Sequence, residues 1–143
     1  MIIVSACLAG VACRYDGKSC PDEGVISLVK AGLALPVCPE QLGGLSTPRE
    51  PAEIQHGDGT DVLAGRTIVL DRAGRDVTGH FVKGATEVLR LAKLIAATEA
   101  IVRAESPSCG SGKIISRGEL LPGDGVTVSL LKQHGINVSA RRG

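Results

Sequence analysis

The stretch "MIIVSACLAG", Met1 to Gly10, carries an apolar run broken only by Ser5, with a cysteine at Cys7 and a glycine at Gly10. A short continuous apolar run bounded by a turn signal reads as a buried strand, here Met1 to Ala6, with Cys7 just past its end. Two similar runs follow, "LALPV" from Leu33 to Val37 and "EAIVRA" from Glu99 to Ala104. Each is followed by a cysteine in turn-forming sequence, Cys38 and Cys109.

Between these strands lie helical patterns. Gly24 to Ala31 follows the acidic "PDE" and closes near Gly32. Thr78 to Thr98 carries Phe81, Ala85, Val88, Leu89, Ala92 and Ile95 on one face and predicts the longest helix. "DGVTVSLLKQHG" predicts a helix with Asp124 as N-cap and Gly135 as C-cap, followed by the strand "INVSA". The residues from Pro39 to Gly65 show no sustained period and read as a long loop. "RTIVLDRAGRDVT" reads as a hairpin turning at "RAGR" between Val69 and Val77. Strands alternating with helices predict an α/β fold, a small Rossmann-like domain with a mostly parallel sheet flanked by helices.

With 143 residues the chain fits a single domain, 1–143, large enough to bury one core. That core must be aliphatic, because Tyr15 and Phe81 are the only aromatics. An aromatic platform for stacking bases is therefore not expected. Lys and Arg number 16 against 15 Asp and Glu, with no basic block beyond Arg141 and Arg142, so binding to long nucleic acid is not indicated. The N-terminus has no charged leader region and no apolar stretch is long enough to span a membrane. A cytosolic protein is expected, and five cysteines without an export signal point to reduced thiols.

In open α/β sheets, ligands bind outside the carboxyl ends of the strands, where Cys7, Cys38 and Cys109 would converge. Free cysteine also serves as a small buried hydrophobe, the reading that suits Cys13 and Cys20. For the other three, soft thiolates select zinc, copper(I) or an iron–sulfur cluster. No CxxC pair and no ferredoxin spacing occurs to decide among them. Acid–base partners lie close by: Glu40 follows Cys38, and Ser106 and Ser108 precede Cys109. The run "GGLSTPR" offers Gly43, Gly44, Ser46, Thr47 and Arg49 to an anionic group, with Arg14 and Lys113 as comparable candidates.

Two rival readings exist. "ACRYDGKS", Ala12 to Ser19, fits a relaxed phosphate-loop pattern, and "TIVLD" ends in Asp71 as a magnesium ligand would. A phosphate loop, however, runs from a strand end straight into a helix, and "CPDE" delays the helix here. The other rival is a zinc-stabilised binding module using the cysteines with His56, His80 or His134.

The ordered set "VSACLAGVACRYDG", "PVCPEQLGGLSTPREP", "VTGHFVKGA", "ESPSCGSGKI" and "PGDGVTVSLLKQHGINV" closely resembles the DUF523 family, whose characterised members are thiouracil desulfidases. The resemblance runs from Val4 to Val138. It implies a Rossmann-like fold and a [4Fe-4S] cluster held by three cysteines, Cys7, Cys38 and Cys109, with one open iron. It further implies Glu40 and Ser106 as catalytic residues and a small thiolated pyrimidine as substrate. Cys13 is not expected among the ligands, Cys20 has no counterpart, and Arg103 stands where the family pattern suggests Lys.

Overall fold

The computed structural model describes residues 1–142. Its centre is a four-stranded parallel sheet, in the order β2-β1-β5-β8: Ala34–Val37, Ile2–Ser5, Glu99–Arg103 and Asn137–Arg141. The chain leaves β1 toward β2 on one side and returns on the other side as β5 and β8. Right-handed crossovers then put helices on both faces. Side chains alternate accordingly. Val4 packs with Val25 of α1 (Glu23–Lys30) on one face. Ile3, Ala100 and Val102 pack with α4 (Thr78–Leu94) and α5 (Val126–Gln133) on the other. The Rossmann-like expectation holds.

The stretch expected to be a structureless loop is instead organised. It contains α2 (Pro39–Leu42), β3 (Ala52–Ile54) and α3 (Gly59–Leu63). These elements are too short to show a period. A legible sign existed for α3, whose start is a reciprocal capping box between Asp58 and Asp61. The expected hairpin over Val69 to Val77 is also corrected. β4 (Val69–Asp71) pairs antiparallel with β3, and only an isolated Leu70 to Asp76 bridge joins it to the following segment. A hairpin that was not anticipated, β6 (Lys113–Ser116) with β7 (Glu119–Pro122), follows Cys109. These additions enclose a second cluster of Ile54, Val62, Val69, Phe81, Ala85, Ile114 and Val126.

Asp124 is not the cap of α5. The N-cap is Gly125, and the Asp124 carboxylate accepts from Gly112 N at 2.7 Å and Lys132 Nζ at 3.0 Å. The first amides of α5 are satisfied from outside: Pro107 O accepts from Val126 N at 2.8 Å, and Ser108 O from Thr127 N at 2.9 Å. Gly125 permits this approach, since a Cβ there would collide with the Ser108 carbonyl.

α2 is fixed as tightly. A Cβ on Gly43 would run into the His80 carbonyl oxygen, and one on Gly84 into that of Pro39. Backbone therefore meets backbone between α2 and α4, with the His80 ring and Gly43 O in contact at 2.8 Å.

Candidate active site

β1, β2 and β5 end at a single cavity of about 1110 Å³. Cys7 sits in the 3₁₀ turn Ala6–Ala9 directly after β1. Cys38 is the N-cap residue of α2, so Pro39 at the first helical position sets the turn that carries Glu40 two residues on. Cys109 is held in a tight turn in which Ser106 Oγ accepts from Cys109 N at 2.7 Å and Ser106 O from Gly110 N at 2.8 Å. The β1 and β5 ladder stops at Val4 and Ile101, and beyond it the Ser5 hydroxyl accepts from Arg103 N at 3.0 Å. All three cysteines, with Glu40, Ser106 and Ser108, line the cavity.

Glu40 is held at both oxygens. Oε2 forms an ion pair with Arg49 Nη2, and Oε1 accepts the Ser108 hydroxyl at 2.7 Å. The Arg49 side chain is only 8% exposed and also donates to Cys13 O at 2.9 Å and to Thr47 Oγ1 at 3.0 Å. Its guanidinium thus braces the carboxylate and the loop around it. Among the other anion-binding candidates, Gly44, Ser46 and Arg14 line the cavity. Gly43 is instead used in helix packing, Thr47 supports Arg49 and Gln41, and Lys113 sits exposed on β6 outside the lining.

The thiols are not equivalent. Cys13 is 2% exposed and packs with Cys7 and Cys38. A hydrogen bond from Cys13 pushes the Cys7 thiol down to about 6, against the opposing effect of burial. The same donor lowers Cys38, whereas Cys13, which holds the proton for both, is pushed up. Cys109 moves the other way, up to about 12, through burial first and the nearby Glu40 charge second. Cys20 accepts from Arg103 Nε at 3.1 Å, so Arg103 is engaged at the cavity edge.

Among the described residues, no three His, Cys, Asp or Glu side chains converge as a single metal ion requires. The donor set at the cavity, the buried thiols of Cys7, Cys38 and Cys109, is of the soft kind that iron–sulfur clusters take. The phosphate-loop reading fails on its geometry: Ala12 to Ser19 is turn and loop, with no helix before Glu23. Asp71 is taken up by Arg75, with Nε at 2.9 Å.

Sequence reasoning named Ser108 only as an acid–base neighbour of Cys109, passed over Ser5, and read Arg49 as an anion binder. Ser108 was visible beside Cys109, but nothing in the sequence showed that its hydroxyl meets Glu40.

The family model described as 2-thiouracil desulfurase matches residues 2–142. The chain is 48% identical over 141 residues to the uncharacterized protein YbbK of Bacillus subtilis (strain 168), covering 96% of this chain and 93% of that protein. Its fold is similar to the solved structure of the [4Fe-4S]-dependent thiouracil desulfidase TudS. The TM-score is 0.85 and the identity 41%, covering 98% of this chain and 89% of that one. The chain belongs to the 2-thiouracil desulfurase family.

Proposed function

We propose that this protein removes sulfur from thiolated uracil derivatives by a non-redox hydrolysis, giving the oxo pyrimidine and hydrosulfide. The observation that carries the reading is the meeting of Cys7, Cys38, Cys109, Glu40 and Ser106 at one cavity beyond the strand ends. Cys7, Cys38 and Cys109 are the residues that would hold the cluster. A [4Fe-4S] cluster bound by three thiolates keeps one open iron, which supplies Lewis acidity toward a thiocarbonyl sulfur.

The remaining chemistry belongs to the chain. Glu40, ionised and braced by Arg49, takes a proton from water aimed at the ring carbon that bears sulfur. Ser106, its hydroxyl free to donate because it accepts from Cys109 N, supplies a proton to the ring nitrogen. Water provides the new carbonyl oxygen and sulfur leaves as hydrosulfide, so no electrons change hands. Gly44, Ser46 and Arg14 receive the polar or anionic substituent of the substrate. The cavity lining mixes polar and apolar residues and includes both aromatics of the chain, Tyr15 and Phe81, and the absence of a basic block beyond Arg141 and Arg142 favours a small thiolated pyrimidine over long nucleic acid. The chain acts as a single domain in the cytosol, where its thiols stay reduced.

Anaerobic purification with iron and acid-labile sulfide determination tests the cofactor. Incubation with 2-thiouracil, 4-thiouracil and their nucleoside monophosphates, with sulfide measured, tests the activity. Cluster-loaded protein that releases no sulfide from any of these substrates would refute the activity and leave the cofactor standing.

A further inference from the structure

Glu40, Ser108 and Ser106 stand in line along the cavity wall. The Ser108 hydroxyl donates to Glu40 Oε1 at 2.7 Å, and the Ser106 hydroxyl lies 3.4 Å beyond it. Among the described residues no hydrogen bond joins Ser106 to Glu40 directly. Ser108 is 2% exposed, and its carbonyl is gripped by Thr127 N at 2.9 Å and Val128 N at 3.2 Å. The start of α5 thereby fixes where its side chain points.

A serine hydroxyl has one proton and two acceptor positions. Cys109 Sγ, at 3.7 Å, competes weakly for that proton against a carboxylate oxygen at 2.7 Å. With the proton committed to Glu40, the lone pairs of Ser108 are left for Ser106. While Glu40 is a carboxylate the hydroxyls therefore point from Ser106 through Ser108 toward it, and a proton taken up by Glu40 turns the line round, so that it donates toward Ser106.

We infer that Ser108 is a relay and positioning residue which returns to Ser106 the proton that Glu40 takes from water; this rests on the desulfuration proposed above. Protonated Glu40 gives its proton to Ser108 Oγ, Ser108 gives its own to Ser106 Oγ, and Ser106 gives its own to the ring nitrogen. Three O–H bonds break, while two O–H bonds and one N–H bond form. No charge is left behind on either serine, and Glu40 is ionised again for the next water. Base and acid become one circuit, in which Ser106 cannot be recharged from Glu40 without the middle hydroxyl.

Thr and Val have the same shape, so S108T and S108V isolate the hydroxyl; S108A replaces S108V if the larger side chain impairs folding. Expected for S108V are unchanged iron content, unchanged KM, and kcat lower by on the order of 100-fold, within the usual worth of a positioned proton donor or acceptor. S108T keeps kcat within about fivefold of the wild type. In mixed H2O and D2O, rate against deuterium fraction is curved for the wild type and S108T, and linear for S108V. A readout without turnover is the Ser108 hydroxyl proton resonance, which moves upfield in E40Q because a neutral oxygen accepts less strongly. Equal kcat in S108T and S108V, or no shift in E40Q, overturns the relay. An inactive wild type sinks the desulfidase reading together with the relay, whereas an active wild type with equal S108T and S108V rates sinks the relay alone.

Discussion

The two walls of the cavity are built on opposite electrostatic terms. On the β1 and β2 side, Cys7 and Cys38 surround Cys13, whose thiol proton serves both and pulls them toward the thiolate. On the β5 side, Cys109 is buried next to Glu40, and both influences hold its proton on. One wall thus favours the thiolate and the other the thiol. The Glu40 charge acts in the same sense on all three, holding the proton on Cys7, Cys38 and Cys109, and on Cys7 and Cys38 the hydrogen bond from Cys13 outweighs it.

The largest effect should come from the reluctant wall. C109S is expected to lose the cluster altogether, read as loss of iron, of acid-labile sulfide and of brown colour, whereas C13S retains them. Equal loss in both variants would mean that Cys13 is a ligand and that the two walls are wrongly divided.

Glu40→Ala comes next. It should lower kcat by on the order of 10²–10⁴-fold, the usual worth of a positioned base, with cluster absorption unchanged. If the cluster is lost as well, Glu40 belongs to the scaffold of the Cys38 turn and not to the chemistry.

Gly84→Ala attacks the support of the wall that favours the thiolate by pushing α4 off the Pro39 carbonyl. A cost of about 1–3 kcal/mol is expected in thermal or denaturant unfolding, as for overpacking elsewhere. A neutral outcome would mean that α2 is not held by this contact.

The mildest test compares the thiols directly in cluster-free protein. Iodoacetamide at pH 7 should label Cys7 before Cys109, as read by peptide mass spectrometry, and C13S should slow labelling of Cys7. Stability follows with opposite signs. The Cys7 thiol, lowered from 9.0 to about 6, stabilises the fold above pH 9.0, and that contribution is lost as pH falls through about 6. The Cys109 thiol, raised to about 12, contributes below pH 9.0 and loses its share as pH rises through about 12. C7S should therefore flatten the dependence of unfolding on pH between about 6 and 9.0.

The central sheet was readable because β1, β2 and β5 are covered by packed residues and their runs are short and mostly apolar. α4 was readable from its face of Phe81, Ala85, Val88 and Leu89. The segments between Pro39 and Val77 were not, because elements of three to five residues take their shape from partners far along the chain. The same division runs through the site. Cysteines at strand ends announce themselves through the rule that ligands bind there. The Ser108 contact with Glu40 depends on α5 capping itself with the Pro107 and Ser108 carbonyls, which no local pattern records. Arg49 looked like a phosphate binder because nothing nearby showed that its charge was already committed to Glu40.

The backbone contact between Gly43 and His80, with its mirror at Gly84 and Pro39, has a consequence for how such a site can diverge. Cys38 and Glu40 ride on one helical turn that cannot slide without steric conflict, so the proposed ligand and the proposed base can shift only as a unit. Adaptation to a new substrate must then proceed through lining residues outside that turn, such as Gly44, Ser46 and Arg14. There a change of side chain alters what enters without disturbing what reacts.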